Sequence, residues 1–146
     1  LVQESGVAWQ LESRAFLAVL AESSGLRKVL DRYAYVVQAQ LSQASACIRF
    51  HEISPRLARW LLMCRDRSPG DTFPMTQEFL STMLGVRRVS VTNAASDLQS
   101  RGLIHYHRGH LTVVDHQGLL AAACCCYARD CTTYENVLAP RKPVTR

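Results

Sequence analysis

The chain has 146 residues, 48% of them hydrophobic, with a formal charge of +5 and a pI near 9.1. That length and apolar content exclude global disorder and suit one domain, or a small domain with appendages. The basic excess, carried by fifteen arginines against two lysines, admits a polyanionic partner without requiring one.

The first residues, "LVQESGVAWQ", lack an initiator Met and the basic start of a signal peptide. They read as one or two short strands around Val7-Ala8-Trp9, too few for a stable sheet alone. The expectation is the C-terminal part of a longer protein. Residues 14–22 read as a short amphipathic helix. From Ser24 to about His51, Leu26, Leu30, Tyr33, Val37, Leu41, Ala44 and Ile48 recur at spacings of three and four, one apolar stripe along a long helix. Arg27, Lys28, Arg32, Gln38, Gln40 and Gln43 occupy the opposite, solvated side. Such a narrow seam packs on its own domain or pairs with a copy of itself, and pairing is the preferred reading.

Ser54-Pro55 reads as N-cap and first residue of the next helix, which holds Leu57, Ala58, Leu61 and Leu62 and ends before the turn-rich "SPGD" at 68–71. Thr76 is the expected N-cap of a helix that buries Leu80, Met83 and Leu84. Gly85 ends that helix in a tight turn. Another helix follows over residues 87–100, apolar at Val91, Ala94, Ala95 and Leu98, and stops at Gly102. "LIHYH" (103–107), "RGH" (108–110) and "LTVV" (111–114) read as a two-stranded hairpin with Gly109 in its loop. Asp115 caps a final helix over 117–136, and "APRKPVTR" (139–146) reads as a frayed basic tail.

Helix, short turn, helix and hairpin make a winged helix-turn-helix. The expected fold is mainly α with a small β wing, preceded by a long dimerisation helix. In such a unit Gly85 allows the sharp turn, Ser81 lets the two helices approach, and Val86 and Val91 fill the joint. The second helix would point its N-terminal end into a DNA major groove. Arg87 and Arg88 stand at that end, where they oppose the helix macrodipole, so an anionic partner explains them better than helix stability does. Val89, Thr92, Asn93 and Ser96 form a slim, uncharged side that a groove admits.

Thr76-Gln77-Glu78-Phe79-Leu80, Met83-Leu84-Gly85-Val86-Arg87-Arg88, Ser90-Val91-Thr92 and Leu98-Gln99-Ser100-Arg101-Gly102-Leu103-Ile104 resemble the DNA-binding domain of the Crp–Fnr family of bacterial transcription regulators. Arg56-Leu57-Ala58-Arg59-Trp60-Leu61-Leu62 and the long helix resemble that family too. The resemblance covers roughly residues 5–130 and is most specific over 56–115. It implies a cytoplasmic homodimer on double-stranded DNA with a two-fold symmetric operator, its recognition helices roughly 34 Å apart. It implies base reading by Arg88, Val89, Thr92 and Asn93, and phosphate contacts by Thr76, Gln77, Arg87 and Ser90. Arg108 and His110 at the wing tip suit phosphate as well. Arg88 matches the family's guanine-reading arginine. Val89 stands where well-known members carry glutamate, and Asn93 where some carry a second arginine, so a different half-site is expected. The stripe from Leu26 to Ile48 becomes the dimer interface. An activator would also contact RNA polymerase, and no residue marks that surface.

The implied organisation is a remnant of an N-terminal β-roll sensor (1–22), the dimerisation helix (23–53), the winged helix-turn-helix (54–118), and a C-terminal helix with the basic tail (119–146). By that resemblance the segment that would grip a cyclic nucleotide phosphate is expected to be missing from these residues, and no cofactor is expected. No catalytic triad, paired carboxylates or phosphate-cradling glycine loop argues for an enzyme. No apolar run of about 18 residues argues for a membrane span.

The six cysteines, Cys47, Cys64, Cys124, Cys125, Cys126 and Cys131, suit neither a disulfide framework nor C-x-x-C zinc spacing, which favours a reducing compartment. On one helix, Cys124, Cys125 and Cys126 would point about 100° apart and could not close on one metal without partners. They are expected as small buried residues, and a thiol switch would need an exposed, low-pKa thiolate. His105 and His107 share one wing face without a third strong ligand. Trp9 and Trp60 are expected as core anchors. The competing functional reading is a protein-interaction or thiol-sensing module built on a winged helix. Its support is the small net charge over 76–116: Arg87, Arg88, Arg101 and Arg108 against Glu78, Asp97 and Asp115.

Overall fold

The computed structural model describes residues 6–139. Seven helices and three short strands follow in the order α1 (Ser13–Glu22), α2 (Ser24–Phe50), α3 (Ile53–Arg65), β1 (Thr72–Pro74), α4 (Gln77–Leu84), α5 (Arg88–Ser100), β2 (Ile104–His107), β3 (His110–Val113), α6 (His116–Ala122) and α7 (Cys126–Leu138). The expected basic tail lies outside the described residues, apart from Ala139.

Three helices enclose the main core. Leu57, Ala58, Leu61 and Leu62 of α3 meet Leu80 and Leu84 of α4 and Val91, Ala94, Ala95 and Leu98 of α5. The apolar face expected for α5 is therefore the buried one. Phe73, Met75, Ile104, Leu111 and Val113 close the core from the sheet, and Leu119 of α6 seals its far side. The sheet has three strands in the order β1-β3-β2, all antiparallel, where a two-strand hairpin was expected. Thr72-Phe73-Pro74 gave no strand signal because it is three residues long and ends in proline. Its register is set by pairing, with Phe73 opposite Leu111 and the Thr72 and Thr112 hydroxyls 2.9 Å apart.

Several boundaries differ from expectation for identifiable reasons. Residues 6–12 form no strand. None of the described strands lies beside them to complete a ladder, and Trp9 is 97% exposed rather than a core anchor. Helix α3 begins at Ile53 with Glu52 as N-cap. Ser54 does not cap it, because its hydroxyl donates instead to Asp97 Oδ2 on α5 at 2.5 Å. Pro55 still falls in the first turn, where its missing N–H costs nothing. Met83 is over a third exposed, leaving Leu80 and Leu84 as the buried residues of α4.

The single helix expected over 117–136 is two. Asp115 caps α6 as expected, accepting from the Gly118 N–H at 2.9 Å. Ala123 is extended, however, and the Cys124 N–H leaves the helix to donate to the Pro55 carbonyl on α3 at 3.2 Å. A tertiary hydrogen bond thus overrides a locally helical sequence. The cap leaves no room at Gly118, where an added Cβ would lie 2.3 Å from Asp115 Oδ2 and 2.5 Å from Leu103 Cδ2. Gly118→Ala should disturb the cap and the core together and cost about 1–3 kcal/mol. Urea denaturation measures this, and an unchanged midpoint would show that the site yields.

Helix α2 turns a different side inward from the one expected. It buries Val36 and Cys47 against α7, and Gln40 and Gln43 on the same side are half-buried. Gln43 donates to Cys126 Sγ at 2.9 Å, so of the three glutamines only Gln38 is on the solvated side. Tyr33, Leu41 and Ile48 of the apolar stripe remain 55%, 65% and 56% exposed, while Leu26, Leu30, Val37 and Ala44 are half-buried.

Candidate nucleic-acid interface

The turn between α4 and α5 follows from Gly85. Its φ is +63°, a left-handed conformation that side chains oppose. The Gly85 N–H donates to the Thr82 carbonyl and the Val86 N–H to the Ser81 carbonyl at 3.0 Å, which is a Schellman stop. At the start of α4 the Thr76 hydroxyl accepts from the Phe79 N–H at 3.1 Å, so the expected N-cap is formed. Val91 is fully buried in the joint and Val86 packs against the same core. Buried Arg56 donates to the Leu84 carbonyl, satisfying the end of α4 and tying α3 to the turn. Trp60 meets Phe79 edge-on at 5.7 Å, so this tryptophan does act as a packing anchor.

These contacts leave the N-terminal end of α5 outermost. Arg87 is its N-cap, with no side-chain cap bond and no acidic residue in the first turn. Arg87, Arg88, Val89 and Asn93 are exposed, and Thr92 and Ser90 are half-buried. Neither arginine is ion-paired with a described residue; the pairs present are Arg59–Asp130, Arg65–Asp71 and Arg101–Asp97. The open end of α5 therefore joins two guanidinium charges to unsatisfied backbone N–H groups, an anion-attracting arrangement.

One polar contact had no sequence signal. Gln77 Oε1 accepts from Arg88 Nε at 3.3 Å and from the Thr92 hydroxyl at 3.1 Å. The Thr92 hydroxyl also lies 3.1 Å from the Arg88 carbonyl. Gln77, placed at the surface by Thr76, thus holds Arg88 in position from α4. Spacing within one helix could not reveal a pair eleven residues apart across a turn.

The wing is tied to the C-terminal end of α5 and to the residue that precedes the Thr76 cap of α4. The Tyr106 N–H donates to Gln99 Oε1 at 2.7 Å and the Tyr106 hydroxyl to the Met75 carbonyl at 2.9 Å. Burial pushes the Tyr106 phenol pKa up, against the opposing charge of Arg88. The strands turn through Arg108 and Gly109, both at positive φ (47° and 78°), as a two-residue hairpin turn requires. His110 pairs with His107 rather than lying in the loop. Arg108 and His110 are exposed. An arginine held in a left-handed conformation stores strain where glycine would not. His105 and His107 share a face as expected, their rings stacked at 6.3 Å.

Residues 55–122 match the family described as the Crp-like helix-turn-helix domain. A Crp/Fnr-family protein from Eubacterium rectale is similar in structure, with a TM-score of 0.58 at 18% identity, over 75% of this chain and 51% of that one. A transcriptional regulator of the Crp family from Thermus thermophilus has a TM-score of 0.56 at 24% identity, over 77% of this chain and 55% of that one. The chain thus spans about half the length of these solved structures. No curated protein matches it.

Proposed function

We propose, because residues 55–122 match the Crp-like helix-turn-helix domain family, that this protein is a transcription regulator that binds double-stranded DNA as a homodimer. The carrying observation is the outward end of α5, where Arg87 and Arg88 lie without carboxylate partners beside an exposed wing. A groove admits the uncharged side formed by Val89 and Asn93. Arg88, steadied by Gln77, reads a base, most simply guanine through its bidentate fork. Thr76, Gln77, Arg87, Ser90, Arg108 and His110 surround that point as phosphate contacts that set orientation. Thr92 supports the reading chiefly through its hydroxyl bonds to Gln77 and its own helix. The exposed stripe on α2 is the dimer face, and two copies present their α5 helices to a symmetric operator.

Binding-site selection from random duplexes, using the full chain, supplies the operator. Arg88→Ala should then weaken binding to it by about 1–3 kcal/mol and relax discrimination at one base pair. Affinity should fall steeply with salt. Equal binding by the variant and the parent removes Arg88 from the reading set. No duplex binding at low salt removes the DNA-binding reading altogether and leaves a protein-docking module.

A further inference from the structure

Cys47 lies in the last turn of α2 with His51 one turn on as its C-cap, while Cys124 and Cys125 occupy the break between α6 and α7 and Cys126 opens α7. Because the break interrupts the helix, the three consecutive cysteines do not fan out as a regular helix would make them. Cys47, Cys124 and Cys126 are all buried, and their sulfurs lie within 4.8 Å of one another. The Cys47 and Cys124 sulfurs are 3.5 Å apart. The ligating atoms of His51, Cys125 and Cys126 form a second set with the same spacing limit, sharing Cys126. A tetrahedral zinc ion with bonds of about 2.3 Å to sulfur sets its thiolates roughly 3.8 Å apart. The three buried sulfurs are therefore already gathered on the scale such an ion needs. The triplet needs partners from elsewhere to close on a metal, and α2 brings Cys47 beside it.

We propose that Cys47, Cys124 and Cys126 bind one thiophilic divalent cation of the zinc class, with His51, whose ring nitrogen already lies near the Cys126 sulfur, turning in as the fourth ligand, and that the ion pins the long helix α2 to the α6–α7 break. Three thiolates and one imidazole are an ordinary zinc set. His51 as the fourth ligand adds no charge, whereas Cys125 would leave the centre more negative. The neutral ring offers one nitrogen to the metal; the Nε2 atom now sits 3.7 Å from Cys125 Sγ. Gln43 Nε2, already donating to Cys126 Sγ at 2.9 Å, orients that sulfur from outside the coordination shell. Arg59 on α3 is close enough to feel the charge of Cys47 and Cys124 and is held by Asp130 of α7. It offsets part of the negative charge of a three-thiolate centre.

The alternative use of these sulfurs is a Cys47–Cys124 disulfide. A disulfide would leave Cys126, the third buried sulfur of the cluster, unused. A metal ion displaces the thiol protons, so its affinity should rise with pH. This site does not depend on the DNA-binding reading, and zinc binding can fail or succeed independently of it.

The test is a titration of the full chain, reduced and stripped of metal, with Zn²⁺ against a chromophoric chelator. One zinc per chain is expected, and Co²⁺ in its place should give the intense visible bands of a tetrahedral, thiolate-rich centre. Cys126→Ser should weaken binding by more than the roughly 10–100-fold that loss of an outer-shell partner costs. His51→Ala should weaken it, and Cys125→Ser should leave it unchanged. Alkylation of the parent protein, followed by mass spectrometry, avoids any folding defect in the variants: zinc should protect Cys47, Cys124 and Cys126 while exposed Cys125 still reacts. Failure to bind stoichiometric zinc, equal binding by Cys126→Ser, or a Cys47–Cys124 disulfide formed equally with and without zinc would overturn the site. Loss of metal in Cys125→Ser with retention in His51→Ala would overturn the fourth ligand.

Discussion

Asp130→Ala should lower the stability of the protein by about 3–5 kcal/mol, because it strands a buried guanidinium. Arg59 Nη2 and Nε donate to Asp130 Oδ2 at 2.6 and 3.0 Å, and both side chains are about nine-tenths buried or more. Removing the carboxylate leaves Arg59 desolvated without its partner. The size of the effect reflects that penalty, not the net worth of the pair. An Arg59→Met/Asp130→Leu double variant should therefore lose much less than the single one, since an apolar pair of similar bulk carries no uncompensated charge. Denaturant melts of the parent, the single variants and the double variant form the required cycle. A loss below about 1 kcal/mol for Asp130→Ala would place the pair among solvent-screened surface bridges. Because Arg59 belongs to α3 and Asp130 to α7, the same cycle measures how firmly the C-terminal helix is fastened to the helix-turn-helix core.

The sequence was legible where one local rule decided the outcome. Thr76, Gly85, Gly102 and Asp115 punctuate the helices because capping and positive φ depend on nearby backbone alone. The buried face of α5 was readable because an alanine-rich stripe at helical spacing has one way to face a core. The exposed end of α5, with Arg87, Arg88, Val89 and Asn93, followed from the same periodicity. Partners distant in sequence were not legible. Nothing within residues 116–126 announced a break, since its cause is a bond from Cys124 to Pro55. Ser54 looked like a cap because its competitor, Asp97, lies on another helix. Gln43 looked solvated because the sulfur it meets belongs to α7. The long helix carried two apolar sides, and periodicity favoured the longer stripe while α7 covers the other.

That exposed stripe gives the second large expectation. Leu41→Glu with Ile48→Glu should abolish the proposed dimer without unfolding the chain. Both side chains are more than half exposed in the single chain, so their replacement costs its own core little. In a two-fold interface each substitution occurs on both copies. Four carboxylates would then enter an apolar seam, where charges without partners are expensive. The DNA consequence follows from linkage. A dimer that grips two half-sites gains from the effective concentration of the second, and separation should lower affinity for the full operator by about 10²–10⁴-fold. Affinity for a single half-site should barely change, because α5 and the wing are untouched. Sedimentation and titration of duplexes with one or two half-sites read the two effects separately. An unchanged mass would place the dimer face elsewhere. A halved mass with undiminished operator binding would mean that one copy suffices, and the symmetric operator would have to be given up.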